Sequence, residues 1–369
     1  MELLNERRLR ELVYGGAVLG AGGGGSIEAG LAAGRQALAA GAPRMMRIEE
    51  LPPKTRIVTL SVVGSVSRMT GDQRRPEHGL ALRRLAAVDR KSIGALIPSE
   101  VGPQGVTYGW LESAATGVPI VDAPCNGRAH PLGLMGSLGL HHHPQYITST
   151  VAVGESREDH TRVELVLREP VTKASEMVRQ AAGKSGLPLA VARNPLPASY
   201  VRKHAAIGGL SYAANVGKIV LNELSRGLPA LLERLQKWTG GRVLAEGRVS
   251  SAALTEKGGF TVGSILMREL DGSESSVAVC NEYLALQRNG ETVAAFPDLI
   301  TLFEFDSAMP LSSPEVRAGH RVAVFCVPRV RLKLGSTMRD DELLRPLERL
   351  LNVTLRGRGT ASEPVRPPP

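Results

Sequence analysis

The sequence predicts a layered α/β domain with a mostly parallel sheet, followed by a β-barrel-like domain. Three observations lead there. Upstream of Asp122, stretches with helical spacing alternate with short β-branched runs, the pattern of a sheet covered by helices. After Gly240-Gly241 the pattern changes to closely spaced alternating runs separated by turn signals such as Asp271-Gly and Asn289-Gly. Between the first two helical stretches lies a run of four glycines, Gly22 to Gly25, which no core needs because glycine loses the most backbone freedom on ordering. These signals divide the chain into an α/β domain over 1–240, a β-barrel-like domain over 241–335, and a C-terminal helix with a Pro/Arg-rich tail over 336–369.

Asn5 to Val18 carries Leu9, Leu12 and Val13 on one face, with Leu19 continuing it, and predicts a helix. Ser26 is placed to cap a second helix over Ile27 to Ala39. Arg56 to Val63 reads as a buried strand, Leu80 to Val88 as a helix, and Ile93 to Pro98 as a second buried strand ending at Ser99-Glu100. A helix over Trp110 to Thr116 leads to a strand at Pro119 to Asp122. Strands are then expected at Thr148–Val153, Arg162–Arg168 and Leu187–Arg193, with a helix over Thr172–Gly183. Ser211 opens a long helix to Leu224, and a further helix runs from Pro229 to Thr239. Five strand-like runs follow, at Val243–Val249, Gly259–Leu266, Ser275–Cys280, Tyr283–Gln287 and Arg321–Val327. The tail from Arg356 reads as disordered.

Composition narrows the function classes. With 43% hydrophobic residues the chain reads as an ordinary soluble protein, and 369 residues suffice for two cores. The net charge of +9 favours acidic small molecules, but the basic residues are scattered and no nucleic-acid motif appears, so no nucleic-acid partner is expected. Three cysteines, Cys125, Cys280 and Cys326, fit a reducing cytosol rather than a disulfide scaffold. Neither a leader nor a membrane-spanning run is visible, so the expected location is cytoplasmic, with no membrane partner.

The candidate chemistry gathers around the ends of the predicted strands. Glu100 and Asp122 each follow a strand, where ligands collect in open α/β sheets, and either suits a general base. Bare amides of Gly22, Gly23, Gly24 and Gly25, with Ser26, are placed to bind an anion or a developing oxyanion. Arg128 is a candidate clamp for a substrate carboxylate. Each has a structural alternative: a cap or loop ion pair for Glu100, an Asx turn for Asp122, an internal ion pair for Arg128, a helix connection for the glycines. Asp298, and likewise Glu282, are candidates for reaching the cleft from the second domain, against the alternative of a turn aspartate after Pro297. Lys203 is a candidate for neutralising an acidic substrate, with an ordinary surface lysine as the alternative. His130, His141, His142 and His143 lie near Cys125 and Asp122 as metal candidates, although adjacent histidines let at most two of the triple share one ion. Cys125 with His130 as its base is a further nucleophile candidate.

Four blocks then become recognisable together: Gly20-Ala-Gly-Gly-Gly-Gly25, Pro98-Ser-Glu-Val-Gly102, Val121-Asp122 through Gly127-Arg128-Ala129 and Pro131, and Phe296-Pro-Asp-Leu-Ile300. Asn281-Glu282 and Gly209-Leu-Ser211 fit as minor blocks. In order and spacing they resemble the S-methyl thiohydantoin desulfurase family, which is associated with hydantoinase and oxoprolinase genes. The resemblance runs from about Leu9 to Pro328 and implies an α/β domain followed by a β-barrel-like one. It also implies a hydrolase acting on thiohydantoin, hydantoin or lactam rings, using carboxylate- or metal-activated water. Asn126, Gly127 and Ser211 join the substrate-binding candidates. Zinc is the implied metal; its ligands are not given by the motifs, and His130, His141 and His143 are the candidates. The expected partners are a small-molecule substrate, a hydantoinase- or oxoprolinase-type protein and a second copy of the chain. The sequence also departs from the family: Ser26, Pro124 and Leu132 replace usual acids, and His130 replaces a usual aromatic. That loss keeps a second function open, a non-catalytic ligand-binding or partner subunit of a hydantoinase-type complex.

Overall fold

The computed structural model describes residues 1–64, 78–156 and 160–355. The first part contains β1 (Glu2–Leu3), α1 (Glu6–Leu19), α2 (Ile27–Ala40), β2 (Arg44–Met46), β3 (Arg56–Val63), α3 (His78–Asp89), β4 (Ala95–Pro98), α4 (Trp110–Thr116) and β5 (Ile120–Val121). It continues through β6 (Ile147–Glu155), β7 (Arg162–Pro170), α5 (Val171–Ser185), β8 (Leu189–Pro197), α6 (Ala198–His204), α7 (Gly209–Glu223) and α8 (Leu228–Thr239). The second part holds β9 (Arg242–Lys257), β10 (Phe260–Glu269), β11 (Glu274–Cys280), β12 (Glu282–Arg288), β13 (Glu291–Ala295), β14 (Leu299–Glu304) and β15 (Arg321–Val327), followed by α9 (Asp341–Leu351). The Pro/Arg-rich tail expected from Arg356 lies outside the described residues.

The first sheet has the order β1-β2-β5-β4-β3-β8-β6-β7. Strands β2, β5, β4 and β3 form the parallel block that the alternating pattern predicts. Beyond β3 the sheet continues through antiparallel β8, β6 and β7. The central strand β3 is apolar along almost its whole length because both its faces are covered. Val58 and Leu60 pack with Leu82 and Leu85 of α3, and Ile57 packs on the other face with Ile97, Leu196 and Val201.

Helices α1, α7 and α8 fill the space between this layer and the second sheet, where Leu9, Leu12, Leu210 and Leu231 join Phe303 and Phe325 in one core. The α1–α7 crossing explains some of the glycines. A Cβ on Gly15 would fall 1.8 Å from the Ala213 carbonyl oxygen, and one on Gly217 would fall 1.8 Å from that of Glu11. Backbone touches backbone there, which any larger residue would prevent.

The second sheet, β13-β12-β11-β10-β9-β15-β14, is antiparallel throughout. It curls until β14 returns against β12 and β13, a half-barrel whose interior is filled by Val249, Ile265, Val277, Tyr283, Ile300 and Val322. Among the described residues no helix is long and apolar enough to cross a membrane.

Candidate active site

A cavity opens beyond the carboxyl ends of β3 and β4, where the half-barrel meets the α/β layer. It measures about 40 Å³, room for a few water molecules, so a substrate the size of a ring must displace part of its lining. Six segments build its chemistry. Ser99-Glu100 leaves the end of β4, Gly24 comes from the glycine loop, and His130 to Gly133 follow β5. Arg179 of α5 and Arg193 of β8 bring positive charge, and Asn281-Glu282 arrive from the second sheet.

Glu100 Oε2 accepts the backbone N–H of His130 at 3.1 Å. Burial still outweighs that bond and the surrounding arginines, and lifts the Glu100 carboxyl to about 7. Glu282 is 2% exposed, and its Oε2 has no hydrogen-bond partner. Burial, with Glu100 nearby as a like charge, holds its carboxyl well above the usual range. Burial thus holds both carboxyls above the ordinary carboxylate range, on the same small cavity. The His130 ring lies with Nε2 3.8 Å from Glu100 Oε2, and burial followed by the Arg193 charge pushes it down to about 3. It is a neutral imidazole whose Nδ1 is unpartnered.

The glycine loop has a different use from the one its composition suggests. Its carbonyls pin three segments: Ala21 accepts from Tyr283 N–H at 2.7 Å, Gly22 from Ser313 at 2.8 Å and Gly24 from Gln104 at 3.0 Å. A Cβ on Gly23 would fall 2.0 Å from Glu282 Oε1. The bare backbone thus makes room for a carboxylate of this same chain. Gly22, Gly23, Gly25 and Ser26 line a separate cleft of about 520 Å³ on the other side of the loop, while Gly24 alone of the four lines the cavity. Ser26 caps α2, its Oγ accepting from Ala29 N–H at 3.1 Å.

Several sequence-derived candidates stand elsewhere. Asp122 does not line the cavity; its carboxylate accepts the backbone N–H of Leu210 at 2.7 Å and the Ser211 hydroxyl at 2.5 Å, binding the start of α7. Ser211 is accordingly inside the helix rather than its cap, and both are engaged structurally. Arg128 is fully buried and bridges the two parts of the chain, donating to the carbonyls of Pro297 (3.2 Å) and Asp298 (2.6 Å) while lying over the Phe296 ring. It is an internal staple, not a clamp open to substrate. Asn126 donates to the Met135 carbonyl and accepts from Gly335 N–H, and Gly127 packs directly on the Lys333 carbonyl. Asp298 accepts the Arg329 N–H at 2.8 Å. Cys125 lies against Thr59 Oγ1, and burial pushes its thiol up to about 11, the opposite of an activated nucleophile. Lys203 and His143 are exposed. His141 and His142 meet Asp340, away from the cavity.

Arg179 and Arg193 escaped the sequence reading. Arg193 had a signal, a charge closing the apolar run Leu189-Ala-Val-Ala, whereas Arg179 looks like any polar-face residue of an amphipathic helix. The cavity also does not fit a metal ion on its own side chains. Its two carboxyls face two arginines, and among the described residues the one three-ligand group within reach of a single ion is His141, His142 and Asp340.

An α/β layer closed by an antiparallel half-barrel, with buried acids at the junction, is the class of protein that fold and site define. Family models described as "S-Me-THD-like, N-terminal domain" and "S-Me-THD-like, C-terminal domain" match residues 7–161 and 169–332. The chain belongs to this S-Me-THD-like, that is S-methyl thiohydantoin desulfurase-like, family. It is also similar to a crystal structure of a protein from Chromobacterium violaceum, with 20% identity, a TM-score of 0.71, and coverage of 94% of this chain and 97% of that one, a likeness of fold. No curated protein matches the chain.

Proposed function

We propose that this protein is a hydrolase that removes sulfur from a small thiohydantoin-type ring, using Glu100 as general base and Glu282 as general acid. The reading is supported above all by the buried carboxyl pair on one cavity, both raised by burial, Glu100 to about 7 and Glu282 well above the usual carboxylate range. Two buried carboxyls on one cavity can divide the acid and base roles between them, one protonated and one ionised. Ionised Glu100 takes a proton from water as its oxygen adds to the ring carbon that bears the S-methyl group. In that addition the C=N electron pair moves onto the ring nitrogen. The C–S bond then breaks, Glu282 protonates the departing thiolate as methanethiol, and the added hydroxyl's proton passes to the ring nitrogen so that the ring carbon becomes a carbonyl. The proton taken by Glu100 returns to Glu282 in resetting the pair. Arg179 and Arg193 provide the positive field that favours a ring anion or a substrate carboxylate. On a hydantoin or lactam the same pair would add water to the ring carbonyl, and Glu282 would protonate the departing ring nitrogen as the C–N bond breaks.

The test is turnover of an S-methyl thiohydantoin, a hydantoin and a lactam by the purified full chain, followed by thiol release and ring opening. Glu282→Gln is expected to lower kcat by about 10²–10⁴-fold while the fold survives, because the neutral amide resembles the protonated acid. No turnover of any of the three by the unaltered protein refutes the hydrolase reading and leaves the ligand-binding or partner-subunit reading.

A further inference from the structure

A second constellation lies where α9 begins, and it shares no residue with the carboxyl cavity. His141 Nε2 is 2.6 Å and His142 Nε2 is 2.5 Å from one and the same oxygen, Asp340 Oδ2. The three potential ligand atoms all fall within 4.8 Å of one another. Adjacent histidines ordinarily point apart; here the single turn Leu140–His142 is 3-10, and the two rings lie side by side, tilted by 37° with centroids 4.1 Å apart. Both imidazoles can therefore reach one point.

The surroundings complete the arrangement. His141 Nδ1 stands 2.9 Å from Ser137 Oγ, the kind of partner that orients a ligating imidazole through its other nitrogen. Asp340 Oδ1 accepts the Glu342 N–H at 3.0 Å, which fixes the carboxylate while Oδ2 stays directed at the histidines. The side chains of His141 and Asp340 are 6% and 10% exposed, but that of His142 is 52% exposed at the edge of an open cleft of about 420 Å³. The set therefore has a buried side that holds its geometry and a wet side where further coordination positions meet water. Metal–ligand bonds of roughly 2.0–2.2 Å put neighbouring tetrahedral ligands about 3.3 Å apart, so an ion needs each N···O contact to open by less than about 1 Å.

We propose that His141, His142 and Asp340 form a binding site for a divalent transition metal, zinc by the preference of two imidazoles and one carboxylate. The ion would clasp the start of α9 to the loop after His130, since His141 and His142 sit on that loop and Asp340 is the helix cap. The ion would take the Nε2 lone pair of each ring in the tautomer that carries its proton on Nδ1, where His141 would donate to Ser137 Oγ. The proposal does not rest on the hydrolase reading.

The experiment uses the full chain, stripped with a chelator and titrated calorimetrically with zinc chloride, with cobalt chloride as an optical probe of imidazole coordination. One equivalent of zinc is expected to bind. His142→Gln, on the exposed side where folding is least at risk, should weaken binding by about 100-fold, and Ser137→Ala by about 10-fold. His143→Gln, which removes the exposed neighbour, should leave affinity unchanged. Circular dichroism of each variant confirms that the fold is retained. The proposal is overturned if the unaltered chain binds neither ion stoichiometrically, if His142→Gln binds zinc as well as the unaltered chain does, or if His143→Gln loses as much.

Discussion

Replacing Glu100 by Gln removes the titration that the cavity imposes without changing the shape of the side chain. The ordinary carboxyl value of 4.5 becomes about 7 in the folded protein, through burial first. The side chain is 15% exposed, so solvent screening takes little from the effect. A carboxyl that holds its proton more tightly when folded contributes stability that is complete below the unfolded value and disappears as pH rises through the folded one. About 2.5 units at roughly 1.4 kcal/mol each make about 3.5 kcal/mol over the full window, of which about 2.5 kcal/mol falls between pH 5 and pH 8. The Gln amide can still accept the His130 N–H and has nothing to titrate. Urea unfolding of both proteins at several pH values measures the outcome. The unaltered chain is expected to lose about 2.5 kcal/mol more than Glu100→Gln between those two pH values. Parallel stability profiles would refute the claim that this carboxyl is held up by burial, and with it the assignment of a base that switches on near neutrality. The rate should carry the same signature, kcat/KM rising with pH as Glu100 ionises.

Three other substitutions separate the roles assigned above. Gly23→Ala puts a methyl group against the Glu282 carboxyl and should lower kcat at least about 10-fold with circular dichroism unchanged; full activity would mean that the Glu282 position is not critical. Arg128→Met leaves the Pro297 and Asp298 carbonyls without their charged donor and is expected to destabilise by about 3 kcal/mol in urea unfolding; a change within about 0.5 kcal/mol would dismiss the staple. Asp122→Ala deprives the start of α7 of its acceptor and should lower stability by about 1–2 kcal/mol, with kcat and KM within about twofold of the unaltered enzyme. A large fall in kcat at full stability would return Asp122 to the catalytic set.

Local patterns carried most of the fold. The helix over Asn5–Val18 appears as α1 one residue later, Ile27–Ala39 as α2, and Arg56–Val63 as β3 with the same bounds, because apolar period and caps are encoded within a few residues. The antiparallel continuation of the first sheet was not legible: β8 and β7 read as strands, but nothing local states the direction in which they pair. The two-residue strand β1 and the short β2 exist through their neighbours in the sheet, and the short helix α6 carries too little period to declare itself.

The site divides along the same line. The sequence alone determined that Glu100 emerges from a strand end, since the apolar run and the Pro98-Ser99 stop beside it are contiguous signals. Only the tertiary structure decided what meets Glu100 there. Glu282 lies 182 residues further on (282 − 100) and reaches the cavity because the half-barrel docks on the α/β layer and Gly23 leaves space for it. Arg128 and Asp122, equally suggestive as letters, are absorbed by the backbone groups they find when the layers close. The physical reason is that a buried carboxyl takes its character from desolvation and neighbouring charge, and both are properties of the packed layers rather than of any segment.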